Sequence, residues 1–435
     1  MQKLPDCFKK RQQKLLSQMK ENSIAIIFAT KEPKHHRKTI YPYRQDSKFY
    51  YMTGFAESDA IAVFLHGHDK GRYILFSKEK NYDTEVWTGK IVGQIEACDY
   101  YGADQAFTLN QAEVMIPELI SGHNSIYFNI EDHEDNEMIM HWVKKLADKN
   151  RAGINPPEEL ISIDQIINEM RNAKDEYELN VMRKSVDIAS AAHIRAMQKC
   201  KPGMMEYELE AEILYEFVRN GGRTPSFETI IASGANGCVL HYTQNNSVLK
   251  DGDMVIVDAG VEYNFYASDI SRSYPVNGKF TKEQQAIYEI VLNTQLEVIK
   301  NVKPGVSWET FQELALKTLT QGLVDIKILS GNVNDLVADK AYKPFYMHLI
   351  GHWLGIDVKD PAKYKLGDEW RKLEPGMIFT VEPGLYISAN TPGVDPKWWN
   401  IAVRIEDDVL VTATGYEVLS AKVPKSVVDI EKMRK

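Results

Sequence analysis

Two stretches of this chain carry an acid at the same place in the same unit. The first is Gly252-Asp-Met-Val-Ile-Val-Asp258-Ala-Gly260, and the second is Gly376-Met-Ile-Phe-Thr-Val-Glu382-Pro-Gly384. They align without a gap, and each has a leucine three residues before its first glycine, Leu249 and Leu373. An apolar, β-rich run of this kind reads as a buried strand. A carboxylate at its end, on the edge of a buried core, is costly unless it is paired or bound to a cation. Two such carboxylates from two copies of one unit point to a shared centre.

Further groups join them. Asp269 follows Asp258 across Val261-Glu-Tyr-Asn-Phe-Tyr-Ala-Ser, where Asn264 marks a turn, so a hairpin would bring the two acids near each other. Glu406 sits in Val403-Arg-Ile-Glu-Asp-Asp-Val-Leu-Val411, which reads as one continuous strand. His352 lies in Met347-His-Leu-Ile-Gly-His-Trp-Leu-Gly355, four residues after His348. Four carboxylates and an imidazole cannot share a small buried volume as bare anions, and two divalent cations would offset about four negative charges. Sulfur-free, carboxylate-rich ligation suits Mn²⁺, with Zn²⁺ or Co²⁺ open through the histidine. Two such ions, roughly 3.5–4 Å apart, activate a bridging hydroxide and polarise a carbonyl oxygen.

The elements that must position these groups follow from periodicity. Asp175 to Lys199 reads as a helix with Leu179, Met182, Val186, Ala189 and Met197 on one face. Lys201-Pro202-Gly203 breaks it, and a second helix follows with Leu209, Ile213 and Phe217 inward. The arrangement then returns. Thr281-Lys-Glu-Gln284 is a capping box, a helix runs to Lys303-Pro304-Gly305, and another starts near Trp308. The C-terminal half is thus an internal duplication, outside the range of solenoid repeats. A pseudo-twofold α+β domain with its site between the halves is the simplest architecture.

Before it, strands at Ser23–Phe28, Ala60–Leu65, Arg72–Phe76 and Ser125–Asn129 mix with helices at residues 9–20, from Asp83 onward and from Asn136 to Leu146. That mixture reads as a small α/β domain, with a Gly/Asp turn joining its second and third strands. Tyr41-Pro-Tyr-Arg-Gln45 is rich in groups that recognise rather than pack. The polar stretch Arg171-Asn-Ala-Lys-Asp175 marks the boundary, giving domains at 1–172 and 173–435.

The whole chain narrows the function classes. At 435 residues, two domains are expected. A net charge of −9 argues against nucleic acid as the main partner. Cys7, Cys98, Cys200 and Cys238 are scattered with no C-x-x-C, which fits a reducing compartment and gives no thiolate metal site. The polar start, Met1-Gln-Lys-Leu-Pro-Asp, lacks a signal peptide's apolar core, and no apolar run reaches membrane-spanning length. A cytoplasmic location is expected.

With these motifs in place, the sequence resembles the Xaa-Pro aminopeptidases (aminopeptidase P) among the pita-bread metallopeptidases, a group that includes prolidase, methionine aminopeptidase and the metal-free creatinase. The resemblance covers nearly the whole chain. It rests on Tyr41-Pro-Tyr-Arg-Gln45, Glu85-Val-Trp87, Asn236-Gly-Cys-Val-Leu-His-Tyr242, Val257-Asp-Ala-Gly260, Ser268-Asp-Ile-Ser-Arg272, His352-Trp-Leu-Gly355, Thr380-Val-Glu-Pro-Gly384 and Val403-Arg-Ile-Glu406. The full ligand set argues against creatinase, and the long N-terminal domain against methionine aminopeptidase.

The resemblance implies a creatinase-like N-terminal domain and a pita-bread catalytic domain. It implies that Asp258 chelates one metal, Asp269 and Glu406 bridge both, and His352 and Glu382 complete the second. Glu382 would also act as general base. His241 and His348 would steady the tetrahedral intermediate and hold the proline side of the scissile bond, with Tyr386 and Arg404 lining that site. Trp87 matches a residue that reaches a neighbouring subunit's active site, so a homodimer or homotetramer is expected. Arg151 is a looser match to a basic residue near the domain junction. Taken singly, His241 also reads as a core histidine, Arg404 as an ion-pair partner of Glu406 or Asp407, and Tyr386 as packing.

One departure stands out. Where the family commonly has a histidine, the segment Gly355-Ile-Asp-Val-Lys359-Asp360 has Lys359. An ammonium donates a hydrogen bond but accepts a proton poorly unless its pKa is depressed. Lys359 is therefore expected to donate to substrate, with an altered rate or pH optimum. Three functions follow. The first is an aminopeptidase removing the residue before a second-position proline. The second is a prolidase confined to Xaa-Pro dipeptides, and the third a non-catalytic pita-bread binding module.

Overall fold

The apolar runs of the sequence become the strands of two separate units. The computed structural model describes residues 3–32, 34–36, 39–40, 42–66, 72–149, 153 and 155–433. The units are Met1–Met170 and Arg171–Lys435. Met1, Tyr41, the turn residues 67–71 and Arg151 lie outside the described residues.

The first unit is built on a six-stranded sheet. Its strands are β1 (Ser23–Phe28), β2 (Ile61–Leu65), β3 (Tyr73–Ser77), β4 (Gln105–Thr108), β5 (Ser125–Phe128) and β6 (Glu159–Ser162), in the order β4-β3-β2-β1-β5-β6. Strand β2 is antiparallel to both neighbours; the other pairs are parallel. Ile24, Ile26, Val63, Ile74, Phe76 and Ile126 pack with Ile116, Ile139 and Trp142 of the covering helices. Gln45, expected to recognise rather than pack, is 1% exposed and braces a loop. Its Oε1 accepts from the N–H groups of Thr30 (2.9 Å) and Asp46 (2.8 Å), while its amide donates to Glu57 O at 2.8 Å.

The second unit repeats itself. Helices Glu176–Lys199 and Glu206–Arg219 precede β7 (Ile230–Ser233) and β8 (Met254–Ala259); helices Lys282–Lys300 and Trp308–Asp325 precede β12, described below. Asp175 and Thr281 cap the longer helices with capping boxes. The periodic faces are buried as expected, Met182, Val186, Leu209 and Ile213 among them. The paired leucines now have a reason. The N–H of Gly203 donates to Leu249 O at 2.8 Å, and that of Gly305 donates to Leu373 O at 2.8 Å. Each Lys-Pro-Gly loop is thus tied to a leucine in the turn that leads into its acid-ended strand. Gly252 and Gly376, at φ 84° and 90°, occupy the left-handed turn that an L side chain resists.

The further strands that build the site are β9 (Val261–Tyr263), β10 (Tyr266–Ala267), β11 (Ile270–Pro275), β12 (Ile378–Val381), β13 (Gly384–Ile387), β14 (Ile401–Arg404), β15 (Asp407–Val411) and β16 (Tyr416–Val418). The sheets β7-β8-β11, β12-β15-β16 and β13-β14 are antiparallel. The β9–β10 hairpin turns at Asn264 and Phe265, both with positive φ, as the Asn264 turn required. Val403–Val411, however, is not one strand. It breaks at Ile405–Glu406, because the chain leaves β13 for β12 there. At the break the Glu406 N–H donates to Ser271 O at 3.0 Å, joining the two halves of the repeat.

Candidate metal centre

Every acid singled out from the sequence sits at a strand end on this junction. Asp258 is next to last in β8, opposite Ser271 of β11. Asp269 lies between the hairpin and β11, Glu382 follows β12, and Glu406 occupies the break before β15. His352 comes from an extended segment running beside β12. Thr380 N–H donates to His352 O at 2.9 Å, Glu382 N–H to Ile350 O at 2.8 Å, and Leu354 N–H to Ile378 O at 3.0 Å. This approach explains Gly351, where a Cβ would lie 1.8 Å from Thr380 O.

Ligand atoms of Asp269, His352 and Glu406 all lie within 4.8 Å of one another. His352 Nε2 is 3.4 Å from Asp269 Oδ2 and 3.8 Å from Glu382 Oε1. Its Nδ1 lies 3.1 Å from Trp353 O, and a carbonyl can only accept, so Nδ1 carries the proton. Neutral His352 therefore turns an Nε2 lone pair toward two carboxylates, an arrangement that requires a proton or a cation between them. A histidine that ligates a metal commonly donates its other N–H to a backbone carbonyl in this way. Asp258 Oδ1 is buried and has no hydrogen-bond partner among the described residues. This donor set of carboxylate oxygens and one imidazole nitrogen fits hard or borderline divalent cations.

The electrostatics agree. Burial pushes the Glu406 carboxyl well above its usual range, and Asp269, Glu382 and Asp258 push it further. Burial likewise raises Asp269, and raises Glu382 to about 7. Burial opposes a charge on His352, but Asp269 and Glu382 outweigh it and its pKa is raised. Four acids compete for one small volume, and Arg404 is the cation that acts on them.

Arg404 starts a chain of contacts out of the acidic cluster. Its Nη2 is 2.7 Å from Asp258 Oδ2, its Nε donates to Ser271 Oγ at 3.0 Å, and its Nη1 donates to Tyr386 OH at 3.0 Å. Its ion pair is thus with Asp258 and not with Glu406 or Asp407. Tyr386 OH lies 2.9 Å from His348 Nε2, and His348 Nδ1 lies 2.8 Å from Leu349 O. His348 is therefore the Nδ1–H tautomer, accepting from Tyr386 at Nε2. Burial holds its pKa down to about 4, so it stays neutral. His348 Nδ1 is 3.8 Å from Glu382 Oε2.

His241 and Lys359 are both exposed, and the charges of both act to lower His348. An exposed His241 is not a core histidine. Trp87 belongs to the first unit, on the helix Tyr82–Thr88, and is 88% exposed.

Three supporting residues escaped the sequence reading. Ser271 Oγ donates to Glu406 Oε2 at 2.8 Å and also receives Arg404. Thr380 Oγ1 accepts the His352 N–H at 3.1 Å. Asp408 Oδ2 accepts the Asp269 N–H at 3.2 Å. The one signal available was the run of three acids, Glu406-Asp407-Asp408, between Ile405 and Val409.

A family model described as metallopeptidase family M24 matches residues 180–413, and one described as aminopeptidase P, N-terminal domain, matches residues 8–127. A Xaa-Pro aminopeptidase of Escherichia coli is 41% identical over 426 residues, covering 98% of this chain and 96% of the relative. One from Haemophilus influenzae is 38% identical, covering 100% of this chain and 98% of the relative. Among solved structures, Pseudomonas aeruginosa aminopeptidase PepP superposes with a TM-score of 0.97 at 43% identity, covering 100% of this chain and 98% of that one. Zn-substituted E. coli aminopeptidase P in complex with product gives 0.95 at 40% identity, covering 99% and 98%.

Proposed function

The chain belongs to metallopeptidase family M24, with an aminopeptidase P domain before a pita-bread unit, and on that premise we propose that it is a Xaa-Pro aminopeptidase. It hydrolyses the N-terminal residue from peptides whose second residue is proline. The observation that carries the reading is His352 Nε2 lying 3.4 Å from Asp269 Oδ2 and 3.8 Å from Glu382 Oε1, beside Glu406.

Asp258, Asp269, His352, Glu382 and Glu406 would hold two divalent cations, Mn²⁺ first, with Zn²⁺ or Co²⁺ alternatives. Such a pair supplies Lewis acidity toward the scissile carbonyl and a hydroxide nucleophile at neutral pH. Glu382 would take a proton from the attacking group and return it to the product. The amide before proline has no N–H, so the site needs a shape for the ring and a proton for the leaving nitrogen, not an acceptor for the amide. His348, kept neutral by burial and held in one tautomer by Leu349 and Tyr386, stands beside Glu382. With His241 it would steady the tetrahedral intermediate and hold the proline side. Exposed Lys359 would donate a hydrogen bond to the substrate beyond proline.

We assign the enzyme to the cytoplasm, consistent with four free cysteines, and to a homodimer or homotetramer, with Trp87 offered to a neighbour. No helix among the described residues is long and apolar enough to cross a membrane. The test is a peptide assay on chelator-stripped protein given Mn²⁺, Zn²⁺ or Co²⁺ singly. Metal-dependent release of glycine from Gly-Pro-Arg but not from Gly-Ala-Arg is expected. Cleavage of Gly-Pro alone would make it a prolidase. No cleavage with any metal would leave a binding module.

A further inference from the structure

The first unit holds a cavity of about 470 Å³ that the peptidase chemistry does not use. It opens where the carboxyl ends of β1 and β5 lie side by side, lined by residues following each, Ala29 to Lys31 after β1, and Asn129 and Asp132 after β5. The sheet's connections diverge at this point. After β1 the next strand of the sheet is β2, on one side; after β5 the helix His133–Ala147 leads to β6, on the other. A crevice at such a divergence is where open α/β sheets bind ligands. The volume suits a small molecule.

The lining specifies the ligand's chemistry. The floor is apolar and partly aromatic: Ile27, Ile61 and Ala112 lie with Phe28, whose ring is backed by that of Trp142, 1% exposed, 6.0 Å away at 18°. Around it stand six carboxylates, Asp46, Asp59, Glu113, Asp132, Glu134 and Asp135, against two lysines, Lys31 and Lys48. Most of these charges are answered by the protein. Glu134 pairs with Lys31, Asp59 with Lys78, Lys48 with Asp164, and Glu113 with Lys145 and His141. Asp46 and Asp132 cap helices, accepting from the N–H groups of Phe49 and Asp135. The Asp135 carboxylate has no hydrogen-bond or ion-pair partner among the described residues. Burial, with Asp132 and Asp46 nearby, pushes it up to about 7, against Lys48 and Lys31.

We propose that this cavity binds a small organic cation, an amine or amidinium carried on a flat apolar body, with its charge at Asp135 and its body on the Phe28–Trp142 floor. A cation there regains the attraction that Asp135 lacks, and an aromatic floor favours a cation carried on a flat frame. The inference is independent of the peptidase reading.

The test is calorimetric titration of the full-length, metal-loaded protein with benzamidine, and with benzoate as an anion of the same shape. Benzamidine is expected to bind one per chain and benzoate to give no measurable heat. Asp135→Asn should weaken benzamidine by roughly ten-fold or more. Met138→Lys, which places an ammonium on the cavity wall, should abolish binding; either folded variant suffices. Gly-Pro-Arg hydrolysis should be the same in both variants as in the parent, and unchanged by saturating benzamidine. Absence of binding, equal affinity in a folded variant, or competition with the peptide would overturn the proposal.

Discussion

Glu406 and Asp407 are consecutive and both sealed from solvent, at 2% and 0% exposed, yet they face opposite surroundings. Asp407 accepts from Arg272 Nη2 (2.7 Å), Ser420 Oγ (2.6 Å) and Lys425 Nζ (2.5 Å). Although burial raises its pKa, those two cations hold its carboxyl well below the usual range. Glu406 has Ser271 Oγ and a crowd of acids, and its carboxyl is driven well above that range. The break at Ile405–Glu406 turns one side chain into a balanced cluster and its neighbour into an unbalanced one. Asp407 behaves as a buried structural ion completed by protein cations. Under the proposed function, Glu406, Asp269 and Glu382 form a site that outside cations would complete. A buried carboxylate is thus informative through its missing partners more than through its burial.

Four substitutions or titrations can break or sharpen this contrast. Glu406→Gln should lower Gly-Pro-Arg hydrolysis by roughly ten-thousand-fold, over 5 kcal/mol of transition-state stabilisation. The thermal midpoint of the metal-stripped variant should be no lower than that of the stripped parent, since a repulsive charge is removed. A matched loss of stability would erase the distinction. Asp407→Ala should do the reverse: it leaves Arg272 and Lys425 buried without an anion and should cost about 3–5 kcal/mol of folding stability, read by urea denaturation.

The pH dependence of stability separates metal-stripped from metal-loaded protein. A carboxyl raised on folding favours the folded state most below its unfolded pKa, and that contribution is lost as pH rises through the folded value. For Glu382 the window runs from 4.5 to about 7. The stripped protein should lose about 3 kcal/mol from this group across it. Saturating Mn²⁺ should flatten the slope, and identical slopes with and without metal would contradict the account. The smallest effect is expected at the exposed rim. Lys359→His should change the peptidase rate a few-fold and shift its pH profile, checked by kcat/KM across roughly pH 5 to 9, a range that brackets an imidazole's titration. An unchanged rate and profile would remove Lys359 from the substrate's path.

The duplicated strands were readable in the sequence because burial and period leave a mark on every residue of Met254–Ala259 and Ile378–Val381. The loop tie of Gly203 to Leu249, and its copy at Gly305 and Leu373, surfaced as a leucine spacing before its hydrogen bond was known. The break at Ile405–Glu406 was not readable. Val403, Ile405, Val409 and Val411 keep alternate apolar positions on either side of it, and only the change of partner from β13 to β12 interrupts the strand. The Arg404–Asp258 pair joins residues 146 positions apart, a contact that no local pattern encodes. The cavity of the first unit was hidden for the same reason, its lining being drawn from residues between Ile27 and Trp142.

The central claim is that the acidic cluster is completed by two divalent cations. Equilibrium dialysis of stripped protein against Mn²⁺, followed by elemental analysis, tests it most directly. Two ions per chain are expected in the parent and in any folded Asp407 variant, and fewer than two in Glu406→Gln. One ion or none in the parent, or two retained by Glu406→Gln, would contradict it.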